Sequence, residues 1–222
     1  MIKKTNKKII KKSKKTTNKL SNLQIDALRE ISSITSGNAT SALAKLINKR
    51  VKINIPKAEF LTIKELTNEL GGKDKMVMSI YVTVLSEVTG QAIFLFSRKS
   101  ALKMIDLVLK KDIGKTKVLD HLSESAFGEM ANIFVGTYLN ALSNMFKLTI
   151  LPGIPVVAND YVGPILEYVM GRITNPEKKT LCFETKINID GNDVSGDFIF
   201  MFDEKSYSLI LKKLKDNYDI TF

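Results

Sequence analysis

The sequence has very little of the residues on which many catalytic sites depend. Among its 222 residues there is one cysteine, Cys182, one histidine, His121, and no tryptophan. Disulfide frameworks, multi-cysteine zinc clusters and two-histidine metal motifs are therefore excluded. A Ser-His-Asp or Cys-His site would have to use His121, and no nucleophile motif surrounds that residue.

Long apolar runs are also missing. No stretch approaches the roughly 18 apolar residues that a membrane-spanning helix needs, so no transmembrane segment is expected. The first residues do not resemble a secretory signal, because no apolar run follows Ile9-Ile10. A lone free cysteine is typical of a reducing compartment, and we therefore expect a cytoplasmic protein.

Acidic residues are absent from the start of the chain. Residues 1–19 hold nine lysines and no Asp or Glu, whereas the rest holds 25 basic and 23 acidic side chains, within a net charge of +11. This run is typical of a disordered, solvated tail. Weak contact with an anionic lipid or nucleic-acid surface is the alternative. The run has no interleaved aromatic residues, so specific nucleic-acid binding is not expected.

What the sequence does contain is an internal repeat. Identical residues recur at an offset of 99, in the pairs Glu30/Glu129, Gly37/Gly136 and Pro56/Pro155. Further on, GQAIFLF (90–96) matches GDFIFMF (196–202) at an offset of 106, which places a seven-residue insertion around 160–180. Agreement of Glu, Gly and Pro in one register indicates a duplication. We predict one domain over 20–217 with two repeats, 20–112 and 118–217.

Each repeat reads as a long helix, then strands, then a second helix. The apolar spacing predicts helices over 20–50, 97–111, 119–146 and 205–216, and strands over 51–56, 76–88, 90–96, 148–155, 180–190 and 196–202. Short turns between the strands argue against parallel βαβ winding. The expected fold is α/β of the α+β type: a pseudo-twofold domain with an antiparallel-rich sheet and two long helices packed on one face.

The second long helix carries a single polar stripe. Ser125, Glu129 and Asn132 are spaced i, i+4 and i+7, which places them within about 40° on one helix face. Glu129 is the only charged residue between 125 and 146. A helix this apolar is expected to be largely buried, with only the stripe reaching water. Pro155 follows Asn132 by 23 positions.

The first repeat has the same arrangement in Asp26, Glu30, Ser33 and Pro56, again with 23 positions between the third residue and the proline. Alone, such a proline is explained by a strand end and such a stripe by an exposed helix face. The recurrence of the set favours a functional site.

The doubled pattern Asp/Ser-x3-Glu-x2-Asn-x22-Pro resembles the signature of the CheC-type phosphatases of bacterial and archaeal chemotaxis, and the resemblance spans about 20–217. It implies hydrolysis of the aspartyl-phosphate on the response regulator CheY. Glu129 would pair with a lysine of the regulator, and Asn132 would orient the attacking water. Ser125 and Pro155 would support this catalytic pair.

The resemblance also has implications for metals and partners. The protein needs no metal of its own, because Mg²⁺ is expected on the regulator. Phosphorylated CheY is the expected partner, and CheD, a receptor deamidase, is a further candidate. The first site departs from the family pattern, since Ser33 stands where the family has Asn. A serine hydroxyl is shorter than a carboxamide, so we predict that Glu30 still supports docking while the second site carries the activity.

The main alternative is a related flagellar switch component that binds CheY without hydrolysing its phosphate. LSNLQIDAL (20–28) faintly resembles the peptide with which such proteins capture CheY. They generally carry a further C-terminal domain, whereas this sequence ends at Phe222, soon after the second repeat. The complete set at the second site also favours the enzyme.

Overall fold

The computed structural model describes residues 22–218, except 55, 173 and 176. The predicted basic tail, 1–19, lies outside the described residues. Both repeats have the same order of elements: α1 (Asn22–Ile47), β1 (Val51–Ile53), β2 (Lys57–Leu61), α2 (Ile63–Glu69), β3 (Met76–Ser86), β4 (Gly90–Phe96) and α3 (Arg98–Val108), then α4 (His121–Phe146), β5 (Ile150–Pro152), β6 (Val156–Tyr161), α5 (Val162–Gly171), β7 (Thr180–Ile189), β8 (Val194–Phe202) and α6 (Glu204–Tyr218).

The two long helices, α1 and α4, have 26 residues each and pack against each other. Asp120 caps α4, because its carboxylate accepts a hydrogen bond from the Ser123 backbone N–H at 2.8 Å. Such a cap satisfies one of the donors that the first helical turn leaves free. The helix ends at Lys147, whose φ of 54° lies in the left-handed region and stops the helical hydrogen bonding. Within the described residues, no helix is long and apolar enough to cross a membrane.

Eight antiparallel strands form one sheet, with the order β1-β7-β8-β4-β3-β5. β2 also pairs with β7, and β6 also pairs with β3. Each repeat therefore pairs its two short strands with a long strand of the other repeat. This exchange joins the repeats into a single sheet.

The centre of the sheet is the β4–β8 pair. Ile93 lies opposite Ile199, and these residues are separated by the same 106 positions as the matching segments. The pseudo-twofold axis therefore passes between them. Gly90 and Gly196 are equivalent positions at the two ends of this pair. A Cβ at Gly90 would collide with the Met201 carbonyl, and a Cβ at Gly196 would collide with the Phe96 ring. The two strands can therefore pack closely only because both positions are glycine.

Helices cover both faces of the sheet. On one face, α1, α3, α4 and α6 enclose a core in which Phe134 contacts Phe94 and Phe198, with ring centroids 5.1 and 4.9 Å apart. On the other, α2 and α5 cover a smaller core around Ile93 and Ile199. Alternate side chains of the central strands thus enter opposite layers. The predicted fold class is confirmed, and α2 and α5 add a layer that the sequence did not predict.

Four short elements were missed by the sequence patterns: β2, α2, β6 and α5. They have five to ten residues, which is too few for a clear period. Gly163 and Pro164 also argue against α5, but Pro164 lies in the first turn, where its missing N–H costs no hydrogen bond. α5 lies within the segment where the sequence places the insertion. It has 10 residues, whereas its counterpart α2 has 7.

Candidate active site

The polar stripe of α4 faces solvent. Ser125, Glu129 and Asn132 are exposed. The apolar residues on the other side of this part of α4 pack against α1 and the sheet and are fully buried: Phe127, Met130, Ala131, Phe134 and Val135. This follows from the helical period, because residues three and four apart share a face. The helix is therefore fixed by its apolar side, and the stripe presents Glu129 and Asn132 to solvent.

An open groove of about 830 Å³ lies between α4 and the strands β5 and β6. One wall is the exposed face of α4, and the other is the segment 152–157. All four residues predicted for the second site line it: Ser125, Glu129, Asn132 and Pro155. The structure thus brings them together around one volume, which we call the second-site groove.

Glu129 and Asn132 are in contact within this groove. The Asn132 Nδ2 donates to Glu129 Oε2 at 3.5 Å, which is long for a hydrogen bond and therefore weak. Both side chains are exposed. The carboxylate is therefore available to a cation, and the carboxamide offers an acceptor and donors to a ligand.

The wall opposite α4 is held firmly against the sheet. The Gly153 N–H donates to the Thr83 carbonyl at 2.7 Å, and a Cβ at Gly153 would lie only 3.1 Å from that oxygen. Pro152 pairs with Val84, and the rings of Pro152 and Pro155 restrict the backbone on either side. This wall of the groove is therefore preformed.

Gly128 is a groove residue that the sequence reasoning missed. A Cβ at this position would lie 3.9 Å from Pro155 Cβ, which is an ordinary van der Waals distance. An alanine would therefore fit here, whereas a longer side chain would enter the groove. A glycine inside a helix costs about 1 kcal/mol relative to alanine. A helical glycine directly beside Glu129 was therefore the signal in the sequence that could have identified this groove residue.

Two further groove residues lie in the first turn of α4. His121 and Glu124 line the groove beyond Ser125. His121 had no role in the sequence reasoning, although its i, i+4 spacing to Ser125 places both on one helix face. The groove therefore extends from the start of α4 to Asn132.

The first site has a different surface. Asp26, Glu30 and Ser33 are exposed on α1, whereas Pro56 is buried. The Arg29 Nη1 lies 3.7 Å from Asp26 Oδ1. Arg29 corresponds to Gly128 at the offset of 99, so a long charged side chain stands where the second site has none.

The chemistry of the second site rests on its carboxylate and carboxamide. Among the described residues, no group of three or more His, Cys, Asp or Glu side chains has an arrangement that would hold a metal ion. Cys182 is buried in β7, and this burial raises the pKa of its thiol, which keeps the sulfur protonated. Cys182 is therefore part of the core.

A carboxyl group with a raised pKa lies on the other face of the sheet. Glu184 is 8% exposed, and burial raises its pKa, although Lys57 opposes this effect. The Lys57 Nζ lies 4.0 Å from Glu184 Oε2 and 3.8 Å from Glu69 Oε2. This cluster belongs to the β2–β7 edge and lines no part of the second-site groove.

No family model matches the chain. It is similar to the CheY-P phosphatase CheC of Bacillus subtilis (strain 168), with 31% identity over 170 residues, or 74% of this chain and 79% of that protein. Its fold resembles Thermotoga maritima FliY (TM-score 0.70, 21% identity, covering 87% of this chain and 98% of that one). It also resembles the FliM-SpeE complex from H. pylori (TM-score 0.67, 14% identity, covering 92% and 100%).

The two structural likenesses show the fold alone, because their sequence identities are low. The likeness to the Bacillus subtilis protein is a relationship of sequence that extends over most of both chains. The chain therefore belongs to the CheC-like family.

Proposed function

We propose that the protein hydrolyses the aspartyl-phosphate of CheY, and that the second site is catalytic. One observation carries this proposal: Glu129 and Asn132 are exposed side by side in a preformed groove. The relationship to a CheY-P phosphatase supports it. The expected partner, and with it a cytoplasmic location, follow from the same proposal.

The reaction needs positioning more than a strong base. An acyl phosphate is already activated, so catalysis consists of holding a water in line with the phosphorus. The new bond joins the water oxygen to phosphorus while the bond to the aspartate oxygen breaks. The aspartate leaves as a carboxylate, and the products are the free regulator and inorganic phosphate. Mg²⁺ on the regulator would neutralise charge on the phosphoryl group.

Asn132 suits the positioning role. Its Oδ1 accepts a hydrogen bond from the attacking water, and its Nδ2 donates to a phosphoryl oxygen. In the free protein that Nδ2 points to Glu129 at a weak 3.5 Å. A phosphoryl oxygen is charged and would accept a shorter hydrogen bond from Nδ2, so it would replace the contact with Glu129.

Glu129 provides the docking contact. Its exposed carboxylate pairs with the lysine expected beside the phosphoaspartate, and this pairing fixes the register of the two proteins. The same pairing draws the carboxylate away from Asn132. Ser125 and Pro155 support the pair, the first from the preceding helical turn and the second from the opposite wall.

Loss of labelled phosphate from phosphorylated CheY tests this proposal directly. We expect Asn132→Ala to reduce the rate about 100-fold, because the water is no longer oriented, with little change in binding. Glu129→Ala should weaken binding first. Asn140→Ala is the matched control, since Asn140 is also exposed on α4 but lies outside the groove lining. Full activity of Asn132→Ala would contradict the proposal.

The second candidate function is CheY binding without hydrolysis, as in a flagellar switch component. The similarity in fold to FliY and to FliM favours it, although only at the level of the fold. In that case the wild-type protein would bind phosphorylated CheY and leave its lifetime unchanged. CheD stays a candidate partner predicted from the sequence.

A further inference from the structure

The second-site groove has an apolar rim. Ile154 is 87% exposed, and Val156, on the same wall, is 42% exposed. Leu122 is 56% exposed on α4 and precedes Ser125 and Glu129 by three and seven residues, which places it on the same helix face. Single exposed apolar residues are normal on a protein surface, but several around one polar groove indicate an interaction site.

Ile154 is held in this exposed position by its neighbours. The backbone of Gly153 is bonded to β3, and Pro155 fixes the backbone dihedral on the other side. The segment is short and lies between two strands that both pair with β3. A contact made by Ile154 would therefore cost little conformational entropy, because its backbone is already ordered.

We propose that Leu122, Ile154 and Val156 form an apolar docking anchor for the phosphorylated response regulator, which rests on the function proposed above. A phosphoaspartate belongs to a folded protein, and a specific interface covers about 800 Å² of each partner. A patch of that size centred on Asn132 includes the groove rim. Any regulator whose phosphoryl group reaches Asn132 must therefore cover Ile154.

The anchor specifies the chemistry of the partner. The regulator must present apolar side chains beside its phosphorylated aspartate and a basic side chain opposite Glu129.

Steady-state dephosphorylation of CheY with Ile154→Ser tests the anchor. We expect KM to rise about tenfold with kcat unchanged, since a central apolar contact is lost while Asn132 is intact. Ile154→Leu should keep the wild-type KM. Ile113→Ser is the matched control, because Ile113 is 41% exposed in the α3–α4 connection, away from the groove lining. An unchanged KM for Ile154→Ser overturns the proposal.

Binding to CheY activated with beryllofluoride separates the two proposals. Weaker binding of Ile154→Ser without any hydrolysis by the wild type supports the anchor and rejects the phosphatase. Normal hydrolysis with equal binding of Ile154→Ser rejects the anchor alone, and no binding by the wild type rejects both. Light scattering tests whether a second copy of the chain covers the rim instead. If the wild type is a dimer and Ile154→Ser is a monomer with an unchanged KM, the anchor is also overturned.

Discussion

The two long helices are equivalent in the fold but present different surfaces. α1 and α4 have the same length and occupy corresponding places on the sheet. On α4 the glutamate stands beside Gly128 and precedes Asn132, whereas on α1 Arg29 and Ser33 occupy these positions. The duplication therefore fixes where a site lies, and two substitutions decide whether it has an open groove and a carboxamide.

The strands beside the helices differ in the same sense. On the face of the sheet turned away from α4, Tyr81 pairs with Val156 in one half, whereas Glu184 pairs with Lys57 at the equivalent positions of the other. Equivalent backbone positions thus form an apolar edge in one half and a charged edge in the other.

Gly128→Arg should give the largest effect, because it copies the first site onto the second. A long side chain would occupy the space between α4 and Pro155, and we expect kcat/KM for phosphorylated CheY to fall about 100-fold. Gly128→Ala is the control. Its Cβ would lie at an ordinary 3.9 Å from Pro155, so activity should be kept and the unfolding temperature raised by the better helix former. Equal activity of both variants would show that the groove is not needed.

The reverse change should move activity into the first site. In an Asn132→Ala background, we expect Ser33→Asn combined with Arg29→Gly to raise the rate about tenfold, because it supplies a carboxamide and removes the long side chain at the position equivalent to Gly128. The gain should remain below the wild-type rate, since the first site still has Asp26 where the second has Ser125. Ser33→Asn alone tells whether Arg29 blocks the site. No gain from the double change would mean that the two halves differ in more than these positions.

The helices and the site spacing were predictable because they depend on local periodicity. The positions of Ser125, Glu129 and Asn132 on one face follow from 3.6 residues per turn. The strand register then places two residues with this repeat offset of 106, Ile93 and Ile199, opposite each other at the axis.

The exchange of strands between the repeats was not predictable from local patterns. β1 and β2 pair with β7, far along the chain, and strands of three and five residues do not specify a partner. Gly128 and Ile154 were missed for the same reason. Their roles depend on a wall of the groove that packs against α4 from another part of the sequence.

The smallest expected effect concerns stability and tests the charged edge. Burial raises the pKa of Glu184 from its ordinary value of 4.5, and the neighbouring Asp197 and Glu69 raise it further, while Lys57 lowers it. A carboxyl whose pKa is raised on folding stabilises the fold while it is protonated, and this contribution is lost as the pH rises through the folded-state value. We therefore expect Glu184→Gln to gain stability over the wild type as the pH rises above 4.5, by about 2 °C in unfolding temperature at neutral pH.

Thermal unfolding followed by circular dichroism at several pH values measures the difference. Glu59→Gln, an exposed change on the same edge, should give none. A wild-type protein that becomes more stable relative to Glu184→Gln with rising pH would show that the ion pair with Lys57 outweighs the burial of the charge, and that this edge is stabilised by its charges.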